Sequence, residues 1–111
     1  MAYDEDLANR IREQLADETA ITEQRMFGGL AFLLGGNMCV GVSGQGGLML
    51  RIPPDDTDEA LAQPHAHPFE MRGRSMRGWI RVAPEGVATD DELAAWVDRA
   101  LAFVRTLPPK G

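Results

Sequence analysis

The sequence has little of several features that would point directly to a function. It contains a single cysteine, Cys39, and therefore cannot form an internal disulfide. Its net charge of −6 at pH 7 argues against general binding to nucleic acids or to anionic membranes. No apolar run approaches the roughly 20 residues that span a bilayer, and the acidic, polar segment MAYDEDLANRIREQ is unlike a signal peptide. These absences predict a cytoplasmic protein with no membrane contact.

What is present is typical of a small globular protein. Hydrophobic residues make up 44% and charged residues 25% of the 111 residues, so we expect one domain over residues 1–111. Residues 4–18 predict an amphipathic helix with Asp4 as its N-cap. Thr89 and Glu92 form a capping box, and the apolar residues that follow recur at helical spacing. Both segments predict helices that bury one face and expose the other.

Two glycine pairs lie in the apolar segment RMFGGLAFLLGGNMCVGV, which covers residues 25–42. A phosphate-binding loop needs a strand, a glycine-rich turn and then the N-terminus of a helix. Here each pair leads into another apolar run with strand-like alternation, so the glycines are interpreted as turns between strands. Gly28-Gly29 is expected to mark a bulge or bend. Residues 23–52 therefore predict an antiparallel meander of three or four strands.

The later part of the chain adds a short helix and further strands. Residues 55–61 follow two prolines and predict a short helix with Asp55 as its cap. The segment QPHAHP reads as a loop, residues 69–71 as a short strand, and residues 78–82 as a clearer one. The order is then α-β-β-β-(β)-α-β-(β)-α. This order predicts an α+β fold, an antiparallel sheet of about four to six strands with helices mainly on one face.

Residues with catalytic or metal-binding chemistry are few and scattered. His65 and His67 are the two histidines, and a closed metal site needs three or four ligands, so we expect no metal and no cofactor. Ser43 and Ser75 lie outside any nucleophile-elbow pattern. Cys39 lies within a predicted strand and reads as a small buried hydrophobe. The sequence therefore predicts a protein that is not an enzyme.

The segment MRGRSMRGWIRV, residues 71–82, is the most suggestive polar stretch. Arginines beside glycine and serine can bind phosphate or carboxylate through two hydrogen bonds. The alternative is a solvated loop whose arginines pair with the protein's own acids. A pocket between the sheet and the loop 64–78 would gather these arginines with others nearby. The candidate residues for binding a partner or an anion are Arg25, Phe27, Arg51, Arg72, Arg74 and Arg77.

Several stretches together give a family resemblance. Arg25-Met26-Phe27-Gly28-Gly29, then MCVGV, LMLRI and the later GWIRV before a capped helix resemble the N-terminal domain of the TfoX/Sxy family of bacterial competence regulators. The resemblance covers nearly the whole chain. It implies an α+β fold and a regulatory, non-enzymatic role, but an analogy at the level of the fold does not fix the function.

Three functional hypotheses follow from these features. The first is a small cytoplasmic interaction or regulatory module that acts through contacts with a protein partner. The alternative is a small-molecule or anion-binding protein with an arginine-lined pocket near the 64–78 loop. Direct binding of DNA or RNA through the arginines is the third, and the net charge makes it unfavourable. Strand edges and methionines also allow a homodimer.

Overall fold

The computed structural model of the protein describes residues 3–26, 28–44, 46–71 and 73–109. The element order is α-β-β-β-β-α-β-β-α, which confirms the predicted α+β fold. The helices are α1 (Glu5–Gln14), α2 (Thr57–Leu61) and α3 (Asp90–Val104). The strands are β1 (Ile21–Met26), β2 (Gly29–Leu34), β3 (Asn37–Val42), β4 (Leu48–Arg51), β5 (Ala66–Met71) and β6 (Arg74–Val82). Short 3₁₀ helices at Pro54–Asp56 and Pro84–Val87 precede α2 and α3.

The six strands form one antiparallel sheet in the order β1-β2-β3-β4-β6-β5. The first four strands are the predicted meander, and both glycine pairs precede a further strand rather than a helix. Two predictions about the later segments are wrong. The segment read as the loop QPHAHP already belongs to β5 from Ala66 onward. Residues 74–77, expected in a loop, belong to β6, which continues through the correctly predicted strand at residues 78–82. Pairing between β5 and β6 holds both segments in extended conformation.

The main core lies between the helices and one face of the sheet. Residues that pair directly across antiparallel strands project to the same side. Phe32 pairs with Val40, Val40 with Leu50, and Leu50 with Ile80, so a row of apolar side chains crosses the sheet on the side of α1 and α3. All four are fully buried. We call this side of the sheet the helix face.

A second, smaller apolar cluster lies on the opposite side of the sheet, which we call the methionine face. Ala31, Met38, Met49 and Phe69 are buried there. The side chains that pack against them are only partly buried, and they are Met26, Leu33, Met76 and Trp79. Strand alternation explains the division, since Met49 lies between Leu48 and Leu50, which both point to the helix face. The sheet therefore has apolar side chains on both faces.

Helix caps follow the sequence at two of the three predicted positions. The Asp4 carboxylate accepts a hydrogen bond from the Leu7 amide at the start of α1. Thr89 and Glu92 form the predicted capping box of α3. Asp55 does not cap α2: it lies inside the 3₁₀ helix, and Asp56 occupies the N-cap position without a side-chain hydrogen bond. No helix within the described ranges is long and apolar enough to cross a membrane.

The turn between β3 and β4 contains two glycines in backbone conformations that other residues adopt only with strain, and only one of the two lies close to a neighbouring strand. Gly46 and Gly47 both have positive φ, +99° and +82°. A Cβ at Gly47 would lie 2.1 Å from the Val82 carbonyl oxygen, whereas a Cβ at Gly46 would meet nothing within 4 Å. We expect Gly46→Ala to cost about 1–2 kcal/mol in the free energy of unfolding, because only backbone strain is added.

Gly47→Ala should cost roughly 2–5 kcal/mol, because it adds a clash with the neighbouring strand to the same strain. Urea denaturation of the two variants beside the wild type measures the difference. Equal losses of stability would contradict the close approach of the turn to β6.

Candidate functional site

Register decides which charged side chains lie on the methionine face. Arg81 pairs with Met49 on one side and with His67 on the other, so both basic residues share the face of Met49. Arg51 pairs with Trp79, a member of the same cluster. Arg74 lies two positions before Met76 in β6, and strand alternation places it on the same side. Arginines of β4 and β6 therefore lie beside the part of the apolar cluster that Trp79 and Met76 form.

The carboxylates of the strands lie on the other side. The described strand residues include two acids, Glu23 and Glu70. Glu23 pairs with the buried Phe32 of the helix face. Glu70 pairs with Ser75, which alternates with Met76 and so points away from the methionine face. Among the described strand residues, the methionine face thus carries basic side chains and no acidic ones, in a protein with a net charge of −6.

Trp79 is the best-supported aromatic side chain on this face. Its ring lies 6.2 Å from the ring of Phe69, centroid to centroid, at an interplanar angle of 35°. The Arg51 guanidinium lies 5.5 Å from the Trp79 ring centroid and 5.7 Å from that of Phe103 in α3. Contacts of this kind stabilise both partners when water is partly excluded. Trp79 is therefore held in one orientation while part of its ring stays accessible.

The other predicted site residues separate into different places. Arg77 donates a hydrogen bond of 2.9 Å to the Pro54 carbonyl and lies 3.7 Å from the Asp58 carboxylate, so it pairs with the protein's own acid. Arg25 is exposed on β1 and pairs with Leu30 of the helix face, four strands away from β6. Phe27 and Arg72 lie outside the described residues. The structure thus places Arg74 on the methionine face, sets Arg51 between Trp79 of that face and Phe103 of α3, and places Arg25 and Arg77 elsewhere.

Strand alternation places Arg77, which follows Met76, on the side opposite the methionine face, and a bend in β6 directly after it brings Trp79 and Arg81 back to that face. Gly78 has φ +83°, and the register of β5 and β6 shifts beside it. Its amide donates to Thr57 Oγ1 at 2.8 Å, and its carbonyl accepts from the Ile52 amide at 2.8 Å. These bonds attach the bend to the start of α2 and to the residue that follows β4. Arg81, which the sequence-based selection omitted, replaces Arg77 on the methionine face because it pairs with Met49.

The two histidines lie in different places, His67 in β5 and His65 in the turn before it. No group of three or more metal-ligating side chains occurs within residues 3–26, 28–44, 46–71 and 73–109. His65 lines a cavity of about 270 Å³ with Trp96 and Arg99, on the helix side of the protein. Arg99 is already paired with Glu59 and lies 5.7 Å from the Trp96 ring centroid. In this cavity the Trp96 ring is an apolar surface, and the positive charge of Arg99 is already balanced by Glu59.

The single thiol is unsuited to chemistry. Cys39 is fully buried in the main core, as predicted. Burial raises the pKa of the Cys39 thiol to about 12, from an ordinary value near 9. The thiolate, which is the nucleophilic form, is therefore scarce near neutral pH.

We expect Cys39 to resist a thiol-specific disulfide reagent at pH 8 in the folded protein and to react within the mixing time in denaturant. Because the folded pKa lies above the unfolded one, the burial of the neutral thiol contributes stability below about pH 9 that declines as pH rises toward about 12. A Cys39→Ala variant provides the blank for the thiol assay and should lack this alkaline component. Rapid modification of the folded protein would contradict the burial.

Comparison with known proteins gives a family for this arrangement. Residues 13–104 match the model of the TfoX N-terminal domain, so the match runs from within α1 to the end of α3 and includes all six strands. No curated protein and no solved structure gives a significant match. The match extends over most of the 111 residues and agrees with the observed α+β architecture. The chain therefore belongs to the TfoX N-terminal domain family.

Proposed function

We propose that this chain is a non-enzymatic, cytoplasmic interaction module that binds an acidic, amphipathic segment of another protein on its methionine face. The observation that carries the proposal is the combination on one face: a partly exposed apolar cluster with Arg74 and Arg81 of β6 beside it and Arg51 of β4 against the Trp79 ring. Family membership supports a regulatory role of this general kind. The exposed apolar and basic side chains of this face support recognition of a partner.

The chemistry of the face indicates what the partner offers. Methionine side chains adapt to differently shaped apolar surfaces, so Met26 and Met76 suit a partner that contributes aliphatic or aromatic residues. Trp79 is a rigid aromatic anchor of the type that dominates binding energy in many interfaces. The arginines around it favour carboxylates on the partner, since guanidinium and carboxylate form paired hydrogen bonds. A segment with alternating apolar and acidic positions satisfies both requirements.

Other occupants have less support. A second copy that presented the same face would bring arginine against arginine. Nucleic acid would be repelled at long range by a protein of net charge −6. The arginine-lined anion pocket also has less support, because Arg77 pairs with Asp58 and Arg25 lies on the helix face.

A displayed library of short random peptides tests the proposal over many candidate segments at once. We expect the selected peptides to combine apolar residues with Asp or Glu, and their affinity for the purified protein to fall as salt is added. Arg74→Gln with Arg81→Gln should weaken a selected peptide by roughly tenfold, because two charge-assisted contacts are lost. Fluorescence anisotropy of the synthetic peptide measures the change.

The control is Arg10→Gln with Arg105→Gln, which changes the net charge equally but alters α1 and the end of α3, where these arginines pair with Asp90 and Glu18. Peptide affinity should stay within about twofold of wild type in this variant, because the altered groups are remote and the pairs are exposed. Equal losses in both variants, or selected peptides without acids, would overturn the proposal. Binding of a single-stranded oligonucleotide that depends on Arg74 and Arg81 would also contradict the proposal, because the ligand of this face would then be a nucleic acid.

A further inference from the structure

The outer edge of β1 is an open strand edge. Within the described ranges, β1 pairs with β2 alone and stands at one end of the sheet. Four of its six residues are exposed. An edge of this kind presents backbone donors and acceptors that another strand can pair with. The opposite edge is different, because β5 contains Pro68, which lacks an amide proton, and a register shift beside it.

The order of charges along β1 favours pairing with a second copy of itself. Its sequence is Ile-Thr-Glu-Gln-Arg-Met, with Gln24 between Glu23 and Arg25. In an antiparallel pair of two such strands centred on Gln24, Glu23 lies opposite the partner's Arg25, and Arg25 lies opposite the partner's Glu23. Opposite charges that face each other across strands stabilise the pairing, and like charges oppose it. Two-fold symmetry therefore produces two complementary pairs from one Glu and one Arg.

The positions of Glu23 and Arg25 are compatible with this arrangement. Both pair within their own sheet with buried residues of the helix face, Phe32 and Leu30, so they project to the same side. Glu23 already accepts two hydrogen bonds from Arg12 of α1, at 2.7 and 2.8 Å, which hold its carboxylate in place. This contact lowers the pKa of Glu23, since the Arg12 guanidinium favours the carboxylate form. Helix α1 packs against β3 and α3, toward the middle of the sheet.

We infer that the protein forms a symmetric dimer in which the two β1 strands pair antiparallel about Gln24 and join two six-stranded sheets into one. Because Glu23 and the partner's Arg25 share a face, the two-fold axis is perpendicular to the sheet. Both helix faces then lie on one side and both methionine faces on the other. This interface uses only β1 and does not depend on the peptide-binding proposal.

Disulfide cross-linking tests the register directly. Gln24 would lie opposite the partner's Gln24 at a Cα separation of about 4.5–5.5 Å, which a disulfide can span. With oxidised glutathione as oxidant, Gln24→Cys should form a covalent dimer. Thr22→Cys is the matched control on the same strand and face: its Cα would lie about 14 Å from that of the partner's Thr22, four residues along the strand. Cys39 is buried and does not compete.

Charge exchange tests the pairing without cross-links. Glu23→Arg alone and Arg25→Glu alone should each raise the dissociation constant at least tenfold in sedimentation velocity, because each places like charges opposite each other twice. An equimolar mixture of these two variants should dimerise like the wild type, since every opposed pair is again Arg with Glu. The double variant Glu23→Arg with Arg25→Glu should dimerise as well. Circular dichroism verifies that each variant is folded.

Several results would overturn the dimer. These are a wild-type protein that stays monomeric up to high micromolar concentration, equal cross-linking of Gln24→Cys and Thr22→Cys, or a dimer that both single charge variants leave intact. Binding of an unrelated extended peptide to β1 in place of a second copy would do the same. None of these results tests peptide binding to the methionine face. The dimer and the peptide-binding proposal can therefore fail independently of each other.

Discussion

The register of the sheet is the constraint on which the rest of the structure depends. Because Val40, Leu50 and Ile80 pair in one row, their neighbours Met49 and Arg81 form a second row on the other side. A slip of one residue would turn Arg81 into the main core and expose Ile80. The burial of the first row, which α1 and α3 cover, therefore also fixes the basic and apolar character of the second.

Local signals in the sequence were sufficient for much of the fold. The capping box at Thr89, the cap at Asp4 and the meander with its glycine turns each depend on residues close together in the chain, and all three were predicted correctly. The start of β5 was not, because Pro68 and the turn residues before it are typical of loops. Its extended conformation comes from pairing with β6, a tertiary interaction that local propensity does not report.

The candidate site illustrates the same limit at the level of single side chains. Proximity in sequence grouped Arg74 with Arg77, yet strand alternation sets Arg77 on the side of Asp58. The bend at Gly78 then brings Arg81 to the face of Arg74, where Arg81 pairs with Met49. Period-two alternation from Met49 and Trp79 could have assigned Arg51 and Arg81 to one face if the strand partners had been known. The bend itself depends on hydrogen bonds to Thr57 and Ile52, which are remote in sequence. Counting arginines within a segment could not supply that information.

The two proposals are connected by geometry, although each is tested alone. In the proposed dimer, a two-fold axis perpendicular to the sheet sets both methionine faces on the same side, with the β1 strands between them. A partner with two acidic amphipathic segments, or a dimeric partner, could then occupy both faces at once. The second contact would form at the effective concentration set by the first, which strengthens binding without any new interaction. In the proposed dimer, the exposed β1 edge with its complementary charges and the apolar, basic methionine faces are then parts of one recognition surface.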